Sequence, residues 1–251
     1  MCSSDLAAIG AALVALLAKL KAILLLLPKV KLLASAGTML VSIAAYSFVF
    51  GWPFAVGFVA LLLVHELGHV IQLRREGLKA SLPMFIPFMG AVVAMKGMPK
   101  NAYVEAKVGL AGPVLGSLGA LATLLLAYQV DSNLLKALAY TGFLLNLFNL
   151  IPVVPLDGGR AAAALHPGFW FAGLFVVALL AFYYQNPFFF IILAFVAFEL
   201  YTRWENRKSL ESRAYHALTW SQRAMVFGLY MGLVVGLVVG MHAAHVARPP
   251  L

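Results

Sequence analysis

Two imidazoles and a carboxylate stand within one pentapeptide, His65-Glu66-Leu67-Gly68-His69, and their types and spacing define a chemistry. Residues four apart share a face of an α-helix, so His65 and His69 can hold one metal ion from the same side. Glu66, one step round, is then a candidate base for water at that ion. The run before the motif, residues 54–64, carries no charge. Three polar groups in so apolar a setting cost several kcal/mol if they do nothing, which favours a metal site over a chance match.

Two histidines need a third protein ligand if a tetrahedral ion is to keep one position for water. The acidic candidates are Glu76, Glu105, Glu199 and Asp157. Glu76 and Glu105 lie at polar edges, and Glu199 lies one turn from Arg203. Asp157 sits in Ile151-Pro152-Val153-Val154-Pro155-Leu156-Asp157-Gly158-Gly159-Arg160, where two prolines and two glycines break a helix. Taken alone, Asp157 reads as the cap of a following helix. At the depth of a two-histidine motif, ligation is the better reading.

The elements that must position these residues are membrane helices. Of 251 residues, 63% are hydrophobic and 11% charged, with a mean hydropathy of +0.96. Soluble domains carry about 45–50% and about 25% respectively. The composition implies an all-α polytopic membrane protein, and at about 20 residues per span the length accommodates about six crossings with little room for a soluble domain. The net charge of +9 is not gathered on one polar face with interleaved aromatics, so nucleic acid is not an expected partner. Cys2 is the single cysteine and excludes an internal disulfide.

Three regions follow. Residues 1–31 contain an apolar stretch broken by Lys19, Lys21, Pro28, Lys29 and Lys31, read as a helix lying at the interface, with a first span as the alternative. Residues 32–160 form the core: spans over 32–50, 54–73, 108–130 and 134–150, with turns at Gly51-Trp52-Pro53 and Asp131-Ser132-Asn133. Residues 81–100 hold three prolines among apolar residues, which predicts a re-entrant hairpin or loop beside the site. Residues 161–251 supply further spans at 169–184, 188–201 and 225–243, the first two short, around a polar segment from Arg203 to Arg223. If the 32–50 span runs outward, sixteen of the eighteen basic residues fall on one side, which the positive-inside rule makes cytoplasmic. The His65–His69 motif and Asp157 then share the cytoplasmic half.

With both motifs in place, the chain resembles the site-2 protease family of intramembrane zinc metalloproteases, in a compact form without a PDZ or CBS domain. The resemblance covers roughly Leu32 to Arg160 and rests on His65-Glu66-x-x-His69 together with the run from Asn149 to Gly159. It implies that His65, His69 and Asp157 bind one Zn2+ and that Glu66 is the general base. It implies that Asn149 contacts the scissile carbonyl and stabilises the oxyanion. Pro83 to Lys96 is similar to the family's membrane-embedded hairpin, whose edge can hold an unwound substrate by strand addition. Gly112-Pro113 matches a family element, whereas Gly116 stands where many members have asparagine, a departure that removes a polar group from that helix. The implied partners are a transmembrane protein substrate and the lipid bilayer, and the implied setting is a bacterial inner membrane. The sequence carries no signal for oligomeric state.

Two other readings use the same residues differently. A metal transporter or channel would take His65, Glu66, His69 and Asp157 as permeation ligands, but needs a polar path onward, and residues 32–50, 54–64 and 191–198 supply none. A serine intramembrane protease would pair Ser117 with His242 or His245 across a mismatch in depth. His166 and His216 read as interfacial and solvated residues.

Overall fold

A computed structural model of the chain describes residues 29–166, 168–206 and 209–245. Apart from Lys29–Lys31, the expected N-terminal interfacial helix lies outside those residues. Four helices are long and apolar enough to cross a membrane: α1 (Lys29–Phe50), α2 (Trp52–Arg75), α3 (Ala102–Gln129) and α9 (Trp220–Ala244). Between them lie α4 (Asn133–Asn149), α5 (Asp157–Leu165), α6 (Gly168–Tyr184), α7 (Pro187–Asn206) and the short α8 (Leu210–Tyr215). The architecture is the expected all-α polytopic one. Its outward faces are apolar: Phe48 on α1, Leu125 on α3 and Val239 on α9 all stand exposed, as lipid-facing positions do and as a soluble surface avoids.

The helix boundaries follow local chemistry. Gly51, at φ 80°, makes the sharp α1–α2 turn, and a proline in the first turn of α2 costs no internal hydrogen bond. Asn101 caps α3 by accepting from the Val104 amide, Ser132 caps α4, and Thr219 with Gln222 forms a capping box on α9. These caps lengthen two of the expected spans, with α3 starting at Ala102 and α9 at Trp220. Lys29, Val30 and Lys31 belong to α1 and not to the preceding segment. A boundary after Arg160 runs through α5, whose alanines pack in one core with Leu110 and Leu124 of α3, Phe143 of α4 and Leu237 of α9. Residues 32–160 and 161–251 therefore share their interior.

The proline-rich stretch is a hairpin, as its composition predicts. β1 (Lys79–Ala80) pairs antiparallel with β4 (Met95–Lys96), and β2 (Met84–Ile86) with β3 (Gly90–Val92) in the register Met84↔Val92, Phe85↔Ala91, Ile86↔Gly90. Its β2 side is tied to α1 by a polar stripe. Ser35 Oγ donates to the Pro83 carbonyl (2.5 Å), the Phe85 amide to Thr38 Oγ1 (3.2 Å) and the Phe88 amide to Tyr46 Oη (3.1 Å). Side chains thus satisfy backbone groups that a lone ribbon leaves open in apolar surroundings.

The last span closes the structure. Arg223 of α9 donates to the carbonyls of Ala164 (3.0 Å), Leu165 and His216 (2.9 Å), and Tyr230 donates to the Leu150 carbonyl. These bonds fasten α5 and the loop before it at both ends. On the polar side, Tyr215 donates to the Glu105 carboxylate (2.7 Å), and burial together with that carboxylate raises the tyrosine's pKa.

Candidate metal centre

The pentapeptide lies in the middle of α2 on its buried side: His65 is 3%, Glu66 6% and His69 6% exposed. Close helix approach puts it there. A Cβ on Gly68 would stand 2.2 Å from the Ala111 carbonyl oxygen, and one on Gly112 would stand 2.2 Å from His69 Nε2, so α2 and α3 meet through two hydrogen-only positions. Each imidazole is held from behind. His69 Nδ1 lies 2.8 Å from the Val108 carbonyl, and His65 Nδ1 lies 2.8 Å from Asn146 Oδ1. Both partners are oxygens that only accept, so each Nδ1 carries the hydrogen and each Nε2 presents a lone pair.

The chain breaks after α4 and returns at α5, whose first residue is Asp157. The helix's N-cap position belongs to Leu156 and has no side-chain cap bond, so Asp157 is not a cap. Instead its Oδ2 lies 3.1 Å from His65 Nε2 and 3.2 Å from His69 Nε2, and the two Nε2 atoms are 3.2 Å apart. Gly158 and Gly159 permit this return, since a Cβ on either would enter the backbone of Leu150 or of Val153.

With both histidines neutral, three acceptor atoms at the corners of a nearly equilateral triangle suit a shared cation. A tetrahedral ion with bonds of about 2.0 Å has ligand–ligand edges of about 3.3 Å, close to this triangle. His65, His69 and Asp157 are the group of His, Cys, Asp and Glu side chains among the described residues that can hold a metal ion. The donor set of two imidazole nitrogens and one carboxylate oxygen suits Zn2+, and Asn146 and Val108 supply the outer hydrogen bonds such ligands take.

A cavity of about 440 Å³ opens over the triangle. Glu66, Asn149 and Arg160 line it, together with Phe88 to Val93 of the hairpin. Among the described residues no hydrogen bond reaches the carboxylate of Glu66 or the amide of Asn149. The other acidic candidates are engaged elsewhere: Glu76 with Lys107 (2.5 Å), Glu105 with Tyr215 and Glu199 with Arg203 (2.9 Å). Ser117 donates to the Pro113 carbonyl of its own helix, and no histidine meets it among the described residues, which removes the serine-protease reading. Asn146 is the residue that spacing did not reveal. Its signal was available, since a second amide three residues before Asn149 in an apolar helix is costly without a task.

The model of peptidase family M50 matches residues 53–132, which hold the histidine motif, the hairpin and α3. That stretch of the chain is similar to peptidase family M50. The chain is 37% identical over 117 residues to the zinc metalloprotease MJ0392 of Methanocaldococcus jannaschii, covering 45% of this chain and 33% of that one. It is 35% identical over 119 residues to Rip3 of Mycobacterium tuberculosis, covering 44% of this chain and 30% of Rip3. The chain thus spans about a third of the length of the curated relatives it matches. The M50 match ends before Asn149 and Asp157. For those two residues, position in the structure is the support.

Proposed function

We propose that the chain is an intramembrane zinc metalloprotease that hydrolyses peptide bonds within or near transmembrane segments of other membrane proteins. The observation that carries this is the triangle of lone pairs formed by His65 Nε2, His69 Nε2 and Asp157 Oδ2 beneath a cavity that Glu66 lines. One Zn2+ per chain would be held by those three side chains. When bound, it supplies the Lewis acidity that polarises a peptide carbonyl and acidifies water. The Glu66 carboxylate takes the proton of the attacking water and passes it to the leaving amine. Asn149, on the cavity wall, donates its amide hydrogens to the carbonyl oxygen as charge develops there. The β3 stretch on the opposite wall presents backbone to an unwound segment, and the apolar surroundings keep bulk water out.

The charge distribution supports a cell membrane location with the site toward the cytoplasm. The similarity of residues 53–132 to family M50 favours hydrolysis over permeation for the same ligands. Purified protein is expected to hold about one Zn2+ per chain. Glu66→Gln should keep the metal and lose cleavage of a membrane-embedded substrate, whereas His65→Ala and Asp157→Ala should lose both. Proteolysis retained in the Glu66→Gln protein would sink the mechanism, and an uncleaved precursor in cells carrying it would identify the substrate.

A further inference from the structure

We propose that Asn146 is a positioning residue for the metal centre, and that position 116 is glycine because the Asn146 amide occupies the space a side chain there would fill. The inference rests on the metal reading above and adds a part to it. Asn146 is 2% exposed, and its Nδ2 donates to the Gly142 carbonyl at 2.7 Å. That bond fixes which end of the amide faces the site, and Oδ1 is left 2.8 Å from His65 Nδ1. A carbonyl oxygen cannot donate, so it selects the His65 tautomer with hydrogen on Nδ1 and holds the ring with its Nε2 lone pair toward His69 and Asp157.

The two histidines are supported unequally. His69 is held by the Val108 backbone carbonyl, which no side-chain substitution removes. His65 depends on one side chain from another helix, 81 positions along the chain. That side chain has room only because of α3. A Cβ on Gly116 would stand 2.3 Å from Asn146 Oδ1, 2.7 Å from Nδ2 and 2.9 Å from Cγ, inside the whole amide. α3 therefore contributes space and α4 the acceptor, and neither works alone.

The test compares Asn146→Leu, Asn146→Asp and Gly116→Ala with wild type in detergent. Zn2+ affinity is read by competition with a chromogenic chelator, and ligand geometry by the visible absorption of the Co2+-substituted proteins. Leucine removes the acceptor at similar size, and Gly116→Ala displaces the amide without removing a polar atom. Both should weaken Zn2+ binding by about 10- to 100-fold and shift the Co2+ bands. Aspartate keeps an acceptor for the Nδ1 hydrogen and should hold Zn2+ far closer to wild type. Wild-type affinity in both Asn146→Leu and Gly116→Ala overturns the inference. So does an aspartate variant as weak as the leucine one, since a merely structural amide would be missed equally in both. If the leucine variant does not fold, Gly116→Ala and Asn146→Asp still decide. A wild-type chain that takes up no Zn2+ overturns the metal reading itself, and this inference with it.

Discussion

Helices α3 and α9 carry the same small-residue pattern to opposite ends. α3 has Gly109, Gly112, Gly116 and Gly119, and α9 has Gly228, Gly232, Gly236 and Gly240, both spaced to line one helix face. On α3 every one of these positions faces a close neighbour: Arg160 and Asp157 at Gly109, the two histidines at Gly112, Asn146 at Gly116 and Val64 at Gly119. On α9 a Cβ at Gly228, Gly232 or Gly236 would meet nothing within 4 Å among the described residues, and at Gly240 its nearest neighbours are atoms of the Phe143 ring. A glycine stripe thus says where a helix can be approached, and the approaching groups decide whether it is used. At Gly112 and Gly116 those groups are the two histidines and Asn146, so the middle of the α3 stripe borders the candidate site.

Alanine substitution along the two helices breaks or sharpens this contrast. The largest effect is expected at Gly112→Ala, where the new methyl would lie 2.2 Å from His69 Nε2 and 2.9 Å from His65 Nε2. Zn2+ content after dialysis should fall to background, and near-stoichiometric metal would contradict the site geometry. Gly68→Ala, on the α2 side of the same contact, meets a backbone carbonyl that cannot turn away, and should lower the unfolding free energy in mixed detergent by about 1–3 kcal/mol. Gly240→Ala presses on Phe143 at 2.8 Å, but a ring edge can yield, so the same titration should show a loss of about 1 kcal/mol or less. Gly232→Ala and Gly236→Ala should leave stability within about 0.5 kcal/mol and Zn2+ content unchanged. A large loss there would mean that the face of α9 is occupied in the detergent-solubilised protein.

Much of this architecture can be read from the chain because membrane physics leaves few options. An apolar run of about twenty residues reads as a helix, and one interrupted by three prolines does not, so both α2 and the hairpin announce themselves. The histidine pair is legible because a helix fixes i and i+4 side by side. Asp157 is less legible, since an aspartate before two glycines fits a cap equally well, and only its depth beside the histidines favours ligation. Asn146 escaped because no spacing rule joins it to a residue on a different helix, and the missing polar group at Gly116 looked like a loss. In three dimensions the amide comes from α4 instead. The strand register and the α1 stripe also needed the fold, because Ser35, Thr38 and Tyr46 read only as mildly polar residues in a span.

The bonds from α9 to the α5 segment tie the placement of Asp157 to residues made well after it. His65 and His69 leave the ribosome long before Asp157, and the carbonyls at both ends of the Asp157 segment wait for Arg223 and Tyr230, which follow later still. A nascent chain that has not yet reached α9 therefore lacks the fastening that holds Asp157 beside the two histidines. The triangle of His65, His69 and Asp157 is thus fastened only once α9 has been made, which would keep the proposed cutting centre silent until then.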